Sequence, residues 1–173
     1  VDLTAEPTRT WLGDAVRRSY KEEISPYTEA FLFLADRATH TDWIRKKMAE
    51  GRVVISDRYS DSTVAYQAAQ LQQKLGGNAT EYIRWLTEAS EPAILEPDIT
   101  LLLDVSPEIS LKRLGGRSEL EKFENLENLN LVRKNYLEIA AKAPRIKVVD
   151  ASRPLQEVQN DIFKALGKYL NMK

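Results

Sequence analysis

The feature that leaves this chain the fewest folds is its alternation of two periodicities. Short apolar runs recur, each followed by a longer stretch with helical spacing. The clearest run is Ile99-Thr100-Leu101-Leu102-Leu103-Asp104, continuously apolar up to a terminal carboxylate. A strand buried on both faces has this pattern, whereas a strand with one wet face alternates. Val1 to Ala5, Val53 to Ile55 and Ile146 to Val149 are runs of the same kind. Helical spacing fills Thr8–Tyr20, Tyr27–Glu50, Tyr59–Gln70, Thr80–Ser90, Glu124–Ala143 and Pro154–Leu170. A further helix opens at Ser106-Pro107, with proline at its favoured first position. Gly51 stands where a helix stops, and Gly76-Gly77-Asn78 breaks the chain. Strands alternating with helices predict an α/β fold, a parallel β-sheet flanked by helices on both faces. The sequence has no internal repeat, low-complexity tract or linker. Its 173 residues predict a single domain over 1–173.

Composition narrows the chemistry. There is no cysteine and one histidine, His40. That excludes a thiol nucleophile, a cysteine-ligated zinc or iron–sulfur site, a disulfide framework and a multi-histidine metal centre. Absence of cysteine fits a reducing cytoplasm, which is the expected location. Lys plus Arg number 25 and Asp plus Glu 26, for a net charge of −1. No global basic field draws the chain to nucleic acid or to an anionic membrane, and neither is expected as a partner. No run approaches the roughly 18 apolar residues of a membrane span. The opening VDLTAEPTRT lacks the charged start and apolar core of a signal peptide. Any anion site must be a local cluster of Arg and Lys.

In open α/β sheets the ligand lies beyond the carboxyl ends of the strands. The residues found there are Glu6-Pro7-Thr8-Arg9, Asp57-Arg58-Tyr59, Asp104 and Asp150-Ala151-Ser152-Arg153. Asp57 can hold a metal-bound water while Arg58 grips a phosphate bidentately. The same two residues also suit a helix cap with its arginine in solvent. Thr63, Tyr66 and Gln67 share one helix face by their spacing. They suit reading a base and a sugar, or an ordinary half-buried polar face. Phe33 and Arg37 share a face one turn apart. That pair suits a ring stacked on a nucleobase with a guanidinium at its carbonyl, or a core Phe with a solvated Arg. His40 is read as structural. Lys112, Arg113 and Arg117 surround Gly115-Gly116, with Glu119, Glu121 and Glu124 following. They suit a positive flap over phosphates, or a charged surface loop.

These signals line up in one family. The string DRYSDSTVAYQ, from Asp57 to Gln67, resembles the thymidylate kinase signature of Asp-Arg-aromatic followed by Ser-Thr-x-Ala-Tyr-Gln. LTAEPTRTWLGDAVR is similar to that family's second strand and next helix, and FLFLADR to its base-stacking helix. PDITLLLDVSPEISLKR resembles the fourth strand and the approach to the lid. RSELEKFENLENLNLVRKNYLEIA resembles the lid and the helix after it, and VVDASRPLQEV the last strand and its turn. Six segments in the family's order cover nearly the whole chain.

The resemblance implies a fold like the P-loop nucleoside monophosphate kinases, with a short lid at about 113–123. It implies phosphoryl transfer from ATP to dTMP, giving dTDP and ADP. By resemblance Phe33 stacks on thymine, Arg37 contacts its carbonyl and Thr63 reads its edge. Tyr66 sits under the sugar and Gln67 lines the same pocket. Arg9 and Arg58 hold the monophosphate, and Asp57 acts through Mg2+-bound water. Arg117, with Arg113 as second candidate, neutralises charge on the transferred group. The Asp150 to Arg153 turn lies by the adenine of ATP, and a symmetric homodimer is expected. Such chemistry is positioning and charge neutralisation, so it requires no covalent nucleophile.

One element of the family pattern is not in this sequence. There is no G-x-x-x-x-G-K-[ST] phosphate loop. The sequence opens at what resembles the second strand, so a preceding strand–loop–helix unit of roughly 30 residues is expected to be missing at its N-terminus. The competing readings are a deoxynucleoside kinase, an enzyme that also accepts dUMP, and a non-catalytic nucleotide-binding or dimerisation module.

Overall fold

The first apolar run forms β1 (Asp2–Ala5), and the run after Gly51 forms β2 (Val54–Asp57). They pair in parallel, with Leu3 opposite Ile55 and Ala5 opposite Asp57. The Glu6 amide donates to the Asp57 carbonyl at 3.2 Å, so Glu6 and Arg58 leave the ladder at the same end. The computed structural model describes residues 1–114, 126–167 and 169. It divides the chain into two compact units, Val1–Glu96 and Pro97–Lys173.

In the first unit four helices accompany the ladder: α1 (Trp11–Ser19), α2 (Pro26–Ala49), α3 (Ser60–Leu75) and α4 (Ala79–Ser90). Each end has a local cause. Ser25 caps α2 and Pro26 takes its first position, while Asn78 accepts from the Thr80 amide at the start of α4. Gly51 and Gly76 end α2 and α3 at φ of 73° and 74°, a left-handed conformation that a side chain disfavours. The structure starts α1 at Trp11 rather than Thr8, because Thr10 caps the helix by accepting from the Gly13 amide and Thr8 is held by tertiary hydrogen bonds. It carries α3 to Leu75, past the expected Gln70, because Leu71 to Leu75 are good helix formers up to Gly76. Ala65, Ala68 and Ala69 make one side of α3 narrow, and it packs closely on α2 and α4. Leu71 and Leu86 are fully buried there, each contributing about 1.5–3 kcal/mol of burial free energy.

The second unit repeats the scheme. β3 (Thr100–Asp104) and β4 (Ile146–Asp150) pair in parallel from Thr100–Ile146 to Asp104–Asp150. Three helices, α5 (Pro107–Leu114), α6 (Leu126–Lys142) and α7 (Leu155–Gly167), follow the expected order. α6 packs on both strands and α7 on β4. Most of the expected lid, and Arg117 with it, lies outside the described residues.

The fold class is α/β with parallel strands, as the alternation predicts. Side-chain exposure departs from the apolar runs. Thr4 faces α2, where its hydroxyl meets His40, but the opposite face carries Leu3 at 77% and Ile55 at 54% exposure. Leu103 and Val148 are likewise about half exposed in the second unit, at 49% and 50%. Among the described residues no helix is long and apolar enough to cross a membrane.

Candidate active site

The end of β2 is built for something other than capping. Tyr59, not Asp57, occupies the cap position of α3, and no side chain caps that helix. Asp57 is exposed, and no described side chain hydrogen-bonds its carboxylate. Arg58 has a φ of 66° and is the one non-glycine among the described residues with a positive φ. Such a conformation costs about 1–3 kcal/mol and persists only where surroundings enforce it. The Ser56 hydroxyl enforces it by donating to the Arg58 carbonyl at 2.6 Å. The guanidinium lies over the Tyr66 ring, 4.8 Å from its centroid, and donates to the Tyr66 hydroxyl at 3.3 Å. The strained turn therefore aims an exposed cation along the first turns of α3.

Beside it is a buried polar cluster. Arg37 is 1% exposed, which excludes the solvated reading of that residue. It is ion-paired with Glu6, donates to the Thr63 hydroxyl at 2.6 Å and lies over the Tyr59 ring at 5.3 Å. Glu6 also meets His40 Nδ1 at 2.8 Å, and His40 Nε2 meets Thr4 at 2.7 Å. A buried guanidinium is tolerable only with such partners. Its partners are incomplete. Nε and Nη1 of Arg37 are buried with no hydrogen-bond partner among the described residues, and so are both amide atoms of Gln67. Each orphaned group costs about 1–3 kcal/mol, a penalty that a ligand with a complementary edge would remove. Gln67 stands one turn beyond Thr63 on the same face of α3. Phe33 is half-buried, one turn before Arg37 on α2, with its ring 6.4 Å from that of Tyr20.

Arg9 is exposed just beyond β1, and no described residue hydrogen-bonds its guanidinium. The first unit thus brings together Arg37 with Thr63, and Arg58 with Tyr66. Sequence reasoning missed the residues behind them. His40 is structural, as its sequence reading has it, while Glu6 and Asp36, which hold the cluster together, carry no local signal in the sequence.

In the second unit the strand ends hold salt-bridged turns. Arg113 donates to the Ala151 and Ser152 carbonyls at 2.7 and 2.9 Å, bracing the turn after β4. Arg153, in that turn, pairs with Asp161 and lies 3.5 Å from Asp150 and 3.7 Å from Glu157. Its hydrogen bond to Asp161 raises the Arg153 pKa and holds the Asp161 carboxyl below the usual range, with help from Lys164. The Ser152 hydroxyl and amide lower that of Asp150. Asp104 takes a two-pronged hydrogen bond from Arg133 at 2.6 and 2.8 Å, which raises the Arg133 pKa. Sequence reasoning named Asp104 but not Arg133.

The described residues contain no group of three or more His, Asp or Glu able to cage a metal. A lone exposed carboxylate at a strand end suits Mg2+, which keeps several waters and takes one or two carboxylates beside substrate phosphates. Asp57 fits that requirement.

By fold and site this is an α/β protein that presents arginine and carboxylate groups at parallel strand ends, the class of the nucleotide kinases. The family model described as thymidylate kinase matches residues 1–162. A probable thymidylate kinase of Methanococcoides burtonii is 40% identical over 166 residues, covering 95% of this chain and 81% of that protein. One from Methanoculleus marisnigri is 45% identical over 158 residues, covering 90% and 75%. A solved thymidylate kinase from Candida albicans superposes with a TM-score of 0.79 at 24% identity, covering 99% of this chain and 81% of that one, and so shares the fold. The chain belongs to the thymidylate kinase family.

Proposed function

We infer that this chain transfers the terminal phosphoryl group of ATP to dTMP, giving dTDP and ADP, the reaction of its family. The observation that carries the reading is the set of buried, unpartnered polar atoms on Arg37 and Gln67, next to Thr63 and the exposed guanidinium of Arg58. A pyrimidine offers carbonyl acceptors and a ring N–H donor, which those atoms complement. Phe33 supplies a face for stacking, and Tyr66 supports the sugar. Arg58 and Arg9 hold the monophosphate, because a guanidinium matches phosphate geometry and stays charged at any working pH. Asp57 would hold Mg2+ through water, and the ion would supply neutralisation of phosphate charge. The Asp150 to Arg153 turn, braced by Arg113, takes the adenine, and Arg117 or Arg113 neutralises charge on the transferred group. Residues 1–173 belong to a single kinase domain of a cytoplasmic homodimer.

The test is ADP release from the protein as it occurs in the cell, supplied with ATP and either dTMP or thymidine. Turnover is expected with dTMP and not with thymidine. Phe33→Ala should weaken dTMP binding by about 1–3 kcal/mol, the worth of one stacked base. Tight dTMP binding without any ADP release would replace the kinase reading with that of a binding module. Turnover of thymidine would replace it with a deoxynucleoside kinase.

A further inference from the structure

The segment between β1 and α1 carries an arginine at its centre and is anchored on both sides of it. Asp36 of α2 is 1% exposed, a buried carboxylate whose hydrogen bonds all run to this segment. Its Oδ2 accepts from the Thr8 amide at 2.8 Å, and its Oδ1 accepts from the Thr8 hydroxyl at 2.5 Å and the Thr10 hydroxyl at 3.4 Å. The Thr10 hydroxyl also lies 2.8 Å from Thr8 Oγ1, so its single proton is shared between Thr8 and Asp36. From the other side α1 grips the carbonyls. Arg17 donates to the Thr8 carbonyl at 2.6 Å and the Pro7 carbonyl at 3.2 Å. Gly13 lets α1 approach so closely that a Cβ there would stand 2.0 Å from the Thr8 carbonyl oxygen. Thr8 and Thr10 are thus fixed, and the residue between them, Arg9, has its backbone held while its side chain stays exposed.

The anchor is adjacent in sequence to the residue that holds the other end of the same segment. Arg37 pairs with Glu6, and Asp36 holds Thr8 and Thr10. Two consecutive residues of α2 therefore fix where the Glu6–Thr10 segment leaves β1 and where its arginine emerges. A buried carboxylate is costly unless hydrogen-bonded, and the two bonds from Thr8, with the shared one from Thr10, offset that cost only while the segment keeps this conformation.

We propose that Asp36 is a positioning residue for substrate phosphate: by pinning Thr8 and Thr10 it sets the guanidinium of Arg9, and so the preference of the site for a nucleoside monophosphate over its nucleoside. The inference rests on the reading of Arg9 as a phosphate ligand. Asp36 itself touches no substrate in this scheme.

The test compares dissociation constants for dTMP and thymidine, by calorimetric titration of the full protein, in Arg9→Ala, Asp36→Ala and the double variant. The ratio of the two constants isolates the phosphate, since a general loss of structure weakens both ligands together. Arg9→Ala should lower the preference for dTMP at least tenfold. Asp36→Ala should lower it by a similar factor with thymidine affinity kept, and the double variant should lose little more. Asp36→Asn, which keeps one acceptor oxygen, should recover part of the preference. Should Asp36→Ala fail to fold, Thr8→Val removes the hydroxyl bond alone and should lower the ratio partially. If Arg9→Ala lowers the preference while Asp36→Ala, or in its place Thr8→Val, leaves it unchanged, Asp36 is structural only and the inference falls. If Arg9→Ala leaves the preference unchanged, the phosphate role of Arg9 falls and the inference with it.

Discussion

Glu6→Ala is the most informative single perturbation of the buried polar cluster around Arg37. Glu6 and Arg37 have side chains 4% and 1% exposed, so their pairing is not screened by water. Removing the carboxylate leaves the guanidinium with one described hydrogen bond, to Thr63, and leaves His40 with one, to Thr4. Removing one partner of a buried pair costs about 3–5 kcal/mol, most of it the uncompensated charge that stays behind. At roughly 2–4 °C per kcal/mol for a chain this long, the midpoint should fall by about 6–20 °C. Urea unfolding followed by tryptophan fluorescence measures the free-energy loss directly. All three tryptophans, Trp11, Trp43 and Trp85, lie in the first unit, and Trp43 stacks 5.9 Å from His40. A second variant separates charge from packing. Glu6→Leu combined with Arg37→Met removes both charges and should unfold at higher urea than Glu6→Leu alone. A loss of less than about 1 kcal/mol in Glu6→Ala, the worth of an exposed pair, would mean that the Glu6–Arg37 pair is not desolvated. A double variant less stable than the single one would refute the reasoning.

Two further predictions come from other parts of the chain. Arg58→Ala should cut kcat for dTMP by two orders of magnitude or more, as roughly expected for loss of a charge-assisted phosphate contact in the transition state. Arg58→Gly should be equally inactive but about 1 kcal/mol more stable than Arg58→Ala, because glycine accepts the positive φ; equal stability of the two in urea would show that the backbone is unstrained. The lowered carboxyl of Asp161 makes a contribution to stability that is present above the ordinary Asp value and lost as pH falls through the lowered one. Arg153→Ala should therefore be less stable than the parent near neutral pH and converge with it as pH falls through the lowered Asp161 value. A difference that persists into acid would assign the role of Arg153 to packing instead.

The order of strands and helices was legible because it rests on local periodicity, and the observed elements fall within a few residues of the expected ones. The two clear exceptions are instructive. α1 starts late because Thr10 is its N-cap, accepting from the Gly13 amide, while Thr8 is held by Asp36 of another helix. α3 ends late because only Gly76, and nothing at Gln70, stops it.

Much of the candidate site was legible too, since strand ends in an α/β fold are where ligands bind and Asp57, Arg58 and Arg9 stand there. Spacing put Thr63 with Gln67, and Phe33 with Arg37, on shared faces. Spacing could not say that Arg37 would be buried or that it would reach Thr63. That contact joins residues 26 positions apart, and the pairing with Glu6 joins residues 31 apart. No local pattern encodes such meetings. The same holds for Asp36, whose role exists only once α2 lies against the segment after β1. The sequence by itself determined the elements and their order, because each depends on neighbours within a turn or a pleat. Tertiary structure alone decided which charges are buried together and which backbone is held for Arg9, because those depend on groups that meet only when distant elements pack.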